Sequence, residues 1–402
     1  MVGAGAAGLL AAAFAAGEGR RVVLFERTQD GGRKILISGG GRCNILPSEV
    51  RAEWFVTDSS AHSLRNILRG WPLEAQRAFF ERELDLPLRL EAESGKLFPV
   101  SNRARDVRDR LVRHVRACGA TIHFGARLTG LTATATGWRL EFDGTPPCEA
   151  RSVVLATGGL SVPTTGSDGV GLRLADALGH LVHPTYPALT PLTTADVRWT
   201  ALSGVSLEAD LSAPPETPAY HRRQGFLFTH RGFSGPSVLN ISHVVTRPRA
   251  GPPPAVRVHW GGTGRGEWEA LLGARGRTRV ATEVRRRLPE RLAEALLTEA
   301  GIAADQTLAQ LRREERLRLL DALCDFSLPV TGHEGYRKAE VTGGGVALSE
   351  VDPVTLESRR APGLFLCGEL LDAFGPIGGY NFLWAWATGR AAGLGTRARP
   401  SL

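Results

Sequence analysis

Along the first 190 residues, short unbroken apolar runs alternate with glycine-rich turns and amphipathic stretches. Val22-Val23-Leu24-Phe25 and Val153-Val154-Leu155-Ala156 spare no polar position for solvent, the pattern of strands covered on both faces. Residues 121–124 predict another strand, and Trp138-Arg139-Leu140-Glu141-Phe142 alternates as a strand with one wet face does. Residues 104–118 predict a helix, with Val107, Leu111 and Val115 recurring every fourth position on one face. Ahead of all these, Gly3-Ala4-Gly5-Ala6-Ala7-Gly8 opens an alanine-rich helix that reaches about Gly17.

After Pro191 the texture changes. Residues 192–262 are rich in proline, glycine and short β-type runs such as Gly225-Phe226-Leu227-Phe228-Thr229, which predict a small β-barrel or sandwich. Residues 267–323 turn helical, with Val284, Leu288, Leu292 and Leu296 on one face and Asp305 as the cap of a helix carrying Leu308 and Leu311. The chain then returns to a buried strand, Leu364-Phe365-Leu366-Cys367, and a final helix from about Phe382, whose Trp384 and Trp386 are expected to pack against the insert. This order is that of one α/β, Rossmann-type domain split by an insertion. Its first part is 1–190, the β-rich insert 191–265, the helical insert 266–328, and the second part of the domain 329–402.

Composition narrows this picture without redirecting it. With 43% hydrophobic and 22% charged residues, the chain is globular. No stretch reaches membrane-span length, and the apolar run 9–16 follows glycines rather than a basic flank; both argue for a cytoplasmic protein without signal peptide or membrane anchor. Cys43, Cys118, Cys148, Cys324 and Cys367 are scattered with no CxxC, which argues against a disulfide framework, a zinc ribbon, a dithiol redox pair or any metal site. The net charge of +8 raises nucleic acid as a partner. Yet nearly every basic residue is arginine, and Lys34, Lys96 and Lys338 are the only lysines, a bias that coding pressure explains more simply. Clusters such as Arg285-Arg286-Arg287 therefore read as a solvated helix face, and nucleic acid is not the expected partner.

Gly3-Ala4-Gly5-Ala6-Ala7-Gly8 matches the dinucleotide fingerprint: Gly3 permits a tight turn, Gly5 lets backbone approach a pyrophosphate, and Gly8 lets helix and strand pack closely. Glu26 comes at the end of the next strand, where a carboxylate can accept from ribose hydroxyls. Only Met1 and Val2 precede the fingerprint where a central strand of about five residues is normal. The natural chain is accordingly expected to extend upstream. The block Gly31-Gly32-Arg33-Lys34-Ile35-Leu36-Ile37-Ser38-Gly39-Gly40-Gly41-Arg42-Cys43-Asn44 makes a loop whose amides can face a flat ligand, and Lys34 stands out in an arginine-using chain. Ala156-Thr157-Gly158-Gly159 comes after a buried strand, Gly368-Glu369 can offer a carboxylate to ribityl hydroxyls, and Gly375-Pro376-Ile377-Gly378-Gly379-Tyr380-Asn381 leads into a helix whose N-terminus favours negative charge on a reduced flavin.

These blocks, together with the segment 227–242 (LFTHRGFSGPSVLNIS), the segment 339–346 (AEVTGGGV) and TLESR, resemble the YhiN/BaiN-type NAD(P)/FAD-dependent oxidoreductases, which include aminoacetone-oxidase-like members. The resemblance spans nearly the whole chain. It implies a two-dinucleotide-type FAD domain interrupted by a β-barrel and helical insert. It also implies FAD contacts at Gly3, Gly5, Ala6, Ala7 and Gly8, at Glu26 and neighbouring Arg27, and at Lys34. Further implied contacts are Ser38, Gly40, Gly41, Arg42, Cys43 and Asn44, then Thr157 and Gly158, Gly368 and Glu369, and Gly378, Gly379, Tyr380 and Asn381.

The chain carries no second dinucleotide fingerprint. Gly343-Gly344-Gly345 lacks the spacing and Gly166-Ser167-Asp168-Gly169-Val170-Gly171 lacks a βαβ frame, so NAD(P)H would bind only transiently, as co-substrate. An amine-oxidase-type cycle using oxygen is the alternative. No acid or base declares itself; Tyr380, His230 and Cys43 are the candidates, with an inert thiol the simpler reading of Cys43. Three classes remain: an FAD oxidoreductase acting on a small organic substrate, a flavin enzyme modifying RNA, and a flavin-binding sensor. The first is favoured. The sequence does not fix the oligomeric state.

Overall fold

The computed structural model describes residues 1–17, 20–216, 218–220, 222–274 and 276–398. It divides into two compact units, residues 1–187 with 340–402, and residues 188–339.

The first unit is built on a parallel sheet. Thr121–Phe124 pairs with Val23–Glu26, and Val153–Leu155 pairs with Leu364–Leu366. Val2 joins the two pairs, bridged to Phe25 on one side and Leu155 on the other. Its amide donates to Val154 O (2.9 Å) and its carbonyl accepts from Ala156 N (2.9 Å), so Met1 and Val2 fill the central place of the sheet. All three residues of Val153–Leu155 and of Leu364–Leu366 are buried, which is why these runs are apolar throughout. On one face lies the helix Ala6–Ala15; on the same unit the helix Ala104–Ala117 buries Ala104, Val107, Leu111 and Val115.

The final helix, Tyr380–Ala398, lies directly on the first. A Cβ on Gly389 would stand 2.3 Å from the Ala7 carbonyl oxygen, and one on Gly393 would stand 2.5 Å from that of Ala11. Backbone-to-backbone approach of this kind needs glycine on one helix and alanine on the other, as the sequence provides. Trp384 and Trp386 do not reach for the insert as expected. Their indole N–H groups donate to Gly368 O (3.1 Å) and Ile45 O (3.1 Å), and Trp386 meets Phe80 and Phe382 in the core of the first unit. A helix beginning at the Gly378-Gly379 turn and lying on Ala6–Ala15 has its bulky face already taken by these neighbours.

The second unit holds a seven-stranded antiparallel sheet among the described residues. Its order is Phe326–Ser327, Arg257–Trp260, Ser206–Ser212, Gln224–Thr229, Gly232–Ser234, Leu192–Thr193, Gly332–His333. The helices Val280–Arg285, Glu290–Glu299 and Arg313–Cys324 share one core with it, in which Trp199, Phe226, Phe228 and Trp260 meet Val284, Leu292 and Leu296. Residues 329–339, assigned from sequence to the closing part of the first domain, belong here instead. Gly332–His333 pairs with Leu192–Thr193, and Glu334 N donates to Pro191 O (3.0 Å). Asp305 is not a cap: Thr307 and Gln310 form a capping box around the short turn Leu308–Gln310. Arg285, Arg286 and Arg287 each have a carboxylate partner, Glu294 for the first and Glu283 for the other two. No helix among the described residues is long and apolar enough to cross a membrane.

Candidate functional site

The fingerprint glycines differ sharply in the room around them. A Cβ on Gly3, whose φ is +98°, would stand 2.5 Å from the Ala156 carbonyl oxygen, and one on Gly8 would lie 1.8 Å from the Gly3 carbonyl oxygen. A Cβ on Gly5 would meet nothing within 4 Å. The turn is therefore closed on the side of the sheet and open at Gly5. Gly5 is also the N-cap of the first helix, and no side chain caps it. Amides at an uncapped helix start beside open space form a seat for an anion such as a pyrophosphate.

Glu26 sits at the end of its strand and is almost wholly buried. One carboxylate oxygen accepts from Ala4 N (2.7 Å) and the other from Thr28 N (2.8 Å) and Thr28 Oγ1 (2.7 Å). Three of about four acceptor positions are thus used, one by the fingerprint turn at Ala4 and two by Thr28, and one is left for a ribose hydroxyl. Arg27, beside it, pairs with Asp168 (2.5 Å) and donates to Gly166 O (3.2 Å). Thr157 comes after Ala156 at the strand end, and its Oγ1 is buried with no hydrogen-bond partner among the described residues. An orphaned hydroxyl there is what a polar ligand group would satisfy.

The loop 31–44 and the two C-terminal blocks converge. Lys34, in the short helix Arg33–Ile37, forms an ion pair with Glu369, and its Nζ lies 2.5 Å from Ser161 Oγ. The second Glu369 oxygen receives Ser161 Oγ (2.5 Å), Thr342 N (3.0 Å) and Thr342 Oγ1 (2.9 Å). Glu369 is thus held by Lys34 and two hydroxyl side chains rather than left free for ribityl hydroxyls. Gly39, Gly40 and Gly41 all have left-handed backbone (φ +56°, +66° and +84°), and Gly40 opens to free space. With its amide oriented to satisfy both ends, Asn44 accepts from Gly379 N (3.0 Å) and donates to Leu46 O (3.2 Å), tying this loop to the turn before the last helix. Asn381 clamps Gly375 reciprocally (2.9 and 3.0 Å), and a Cβ on Gly379 would stand 2.5 Å from the Leu46 carbonyl carbon.

Other sequence-chosen residues lie elsewhere or are spent. Arg42 turns away to Glu91 (3.0 Å) and lies over the Phe98 ring (4.1 Å). Ser38 Oγ donates to Ile35 O (2.7 Å). Cys43 is fully buried, and burial pushes its thiol up to about 12, so it is no thiolate at neutral pH. His230 stands at the exposed tip of the hairpin between Gln224–Thr229 and Gly232–Ser234, in the second unit. Tyr380 is buried edge-on against Trp54 and Phe55.

Two groups in this region were not singled out from sequence. Asp372 is buried; its carboxylate accepts from Thr57 Oγ1 (2.9 Å), Asp58 N (2.8 Å) and Ser59 Oγ (2.8 Å), with His183 Nε2 at 3.8 Å. Burial outweighs these contacts and raises its carboxyl above the ordinary range. Lys96 opens the strand Lys96–Pro99, and its Cε lies 3.9 Å from where a Cβ would stand on Gly378. The scarcity of lysine that marked Lys34 marks Lys96 equally. Among the described residues no group of histidine, cysteine or acidic side chains could hold a metal ion.

The chain is similar to known proteins over almost its full length. A family model described as "HI0933-like protein Rossmann domain" matches residues 1–395. A protein of Escherichia coli (strain K12) named ribosomal RNA dihydrouridine synthase is 33% identical over 397 residues, 96% of this chain and 95% of that one. A Clostridium scindens protein named 3-dehydro-bile acid delta(4,6)-reductase is 32% identical over 409 residues, covering 100% and 99%. Among solved structures, that of 3-ketosteroid-delta4-(5alpha)-dehydrogenase from Rhodococcus jostii RHA1 is 15% identical with a TM-score of 0.49, over 99% of this chain and 96% of that one. The chain belongs to the HI0933-like family of Rossmann-domain proteins, the YhiN/BaiN-type flavoproteins.

Proposed function

We propose that this chain, by family an FAD-dependent oxidoreductase, reduces a carbon–carbon double bond conjugated to a carbonyl, with NAD(P)H as a transient electron donor. The observation that carries the flavin reading is the contrast within the fingerprint: no room at Gly3 and Gly8, open space at Gly5, and an uncapped helix start beside it. On this reading the Gly3–Gly8 amides meet the pyrophosphate, Glu26 offers its remaining acceptor position to the adenosine ribose, and Thr157 Oγ1 finds its missing partner on the cofactor. Lys34 and Glu369 stiffen one wall, and the Asn44–Gly379 link holds two glycine turns at the flavin ring. Bound FAD supplies the two-electron step.

The substrate class is supported by what two differently named relatives have in common. Dihydrouridine is uridine whose ring double bond, conjugated to a carbonyl, has been saturated. A 3-dehydro bile acid with delta(4) unsaturation carries the same conjugated unit. The names of the rRNA-modifying relatives favour RNA as the carrier of that unit, against the expectation that arginine bias alone suggests. Charge does not decide it: several arginines are ion-paired, and the net +8 that remains attracts any anion, RNA or not.

The test is anaerobic. FAD-loaded protein is reduced with NADPH or NADH, then mixed with cyclohexenone or with an rRNA transcript while the flavin band is monitored. Return of the band with either acceptor is the expected result, and the acceptor that works names the class. A flavin reoxidised by oxygen but by neither acceptor would replace the reductase with an oxidase.

A further inference from the structure

Lys34, Ser161, Thr342 and Glu369 come from four separate stretches of the first unit and close one hydrogen-bonded network. Leu160 N (2.7 Å) and Ser161 N (3.1 Å) fix the Thr342 hydroxyl. Thr342 N and Oγ1 and Ser161 Oγ fill one Glu369 oxygen, and Lys34 takes the other. An ammonium has three N–H donors. Among the described residues Lys34 spends two, on Ser161 (2.5 Å) and Glu369. Exposure falls along these contacts, from 27% of the Lys34 side chain through 18% of Glu369 to none of Ser161, so the cation is the member that meets the open side. Partly desolvated pairs of this kind gain little net stability, because desolvation offsets attraction. The elements that carry the network are those of the proposed cofactor site. Gly32 N, two residues before Lys34, donates to Ala4 O of the fingerprint (2.8 Å). A Cβ on Gly368, next to Glu369, would stand 2.8 Å from Ala7 Cβ, and one on Gly159 would stand 3.1 Å from the Glu369 carboxylate. Gly159 comes two residues after Thr157 with its orphaned hydroxyl, and the helix of Lys34 leads to the open turn at Gly40.

We propose that Lys34 is the cation that stabilises negative charge on the reduced flavin, held in place by Glu369 and Ser161 rather than by the cofactor. This rests on the FAD reading above. A charge fixed before reduction costs no reorganisation when the flavin gains its electrons. By linkage, such a cation binds reduced FAD more tightly than oxidised FAD and so makes the bound flavin easier to reduce. A contact to the pyrophosphate or the ribityl chain favours both states alike. A lysine whose whole role is to pair with Glu369 would leave the equilibrium where it was when both charges are removed together.

Full-length wild type, Glu369→Gln, and the double variant Lys34→Met with Glu369→Gln are loaded with FAD and equilibrated anaerobically with a reference dye of known potential. Dissociation of oxidised FAD is measured in parallel. Comparing the two variants isolates the ammonium, since neither leaves a lone carboxylate to unsettle the fold. Glu369→Gln should be reduced at least as readily as wild type, because its amide still accepts from Lys34 and the opposing charge is gone. Adding Lys34→Met should shift the reduction equilibrium at least tenfold toward oxidised flavin, about 30 mV for a two-electron couple, with a smaller change in affinity for oxidised FAD. Equal equilibria in the two variants overturn the proposal. So does an equal weakening of oxidised and reduced FAD, which would make Lys34 a contact to the cofactor's tail. A colourless wild type overturns the proposal together with the flavin reading; a yellow wild type whose equilibrium ignores Lys34 overturns the proposal alone.

Discussion

Gly5 and Gly8 are three residues apart in one turn and fail in different ways when given a side chain. At Gly8 an added methyl meets a carbonyl oxygen at 1.8 Å, so backbone must move. Gly8→Ala should lower the stability of the first unit by about 2 kcal/mol or more, the order seen when packed interiors are overfilled. At Gly5 the methyl meets nothing within 4 Å. Gly5→Ala should cost no more than about 1 kcal/mol, the ordinary penalty of alanine at an N-cap, and still weaken FAD retention at least tenfold, because the methyl occupies the phosphate's approach. Equal loss of stability in both variants would refute this division of labour. The glycine spacing was readable in the sequence; which glycine had free space was not, because the atoms facing Gly3 and Gly8 come from Ala156 and from the turn itself. Lys34 was readable as an outlier among arginines, but its partner Glu369 lies 335 positions away and only the fold pairs them.

At the scale of elements, the buried strands announced themselves because residues covered on both faces have no polar choice to make. The strands Arg127–Thr134 and Cys148–Ala150, which flank Gly137–Asp143 in a small antiparallel sheet, did not, since their exposed and buried positions are mixed. The contact between first and last helices was also illegible. Nothing in Ala6–Ala15 says which alanines face a partner, and the Gly389 and Gly393 spacing acquires meaning only against Ala7 and Ala11. Gly393→Ala should cost about 1–3 kcal/mol through the same kind of clash, measured as a shift in urea midpoint at constant slope. Because this helix begins at the Gly378–Tyr380 turn, the variant should also loosen FAD. A stable Gly393→Ala protein with wild-type FAD retention would show that the helix pair does not support the site.

Across the whole molecule, the two units carry separate cores and should respond separately to pH. In the second unit His243 is buried, and burial lowers its pKa from an ordinary 6.5 to about 4. Below 6.5 the unfolded chain takes up the proton and the folded chain does not. Stability is therefore complete above about pH 6.5 and is lost as pH falls to about 4, a difference of roughly 3 kcal/mol at about 1.4 kcal/mol per pKa unit. Hydrogen exchange confined to residues 188–339 should speed up over that window, and His243→Gln should flatten the dependence. An unchanged profile in the variant would assign the loss to other groups.

The flavin site itself is tested most directly by incubating the protein with FAD, removing free cofactor by gel filtration, and recording the visible spectrum of wild type beside Gly5→Ala. The expected outcome is about one FAD per wild-type chain, bleached by anaerobic NAD(P)H, and a Gly5→Ala chain that is folded and nearly colourless. A colourless wild type, or a Gly5→Ala protein as yellow as wild type, would mean that the open turn at Gly5 is not where FAD is held.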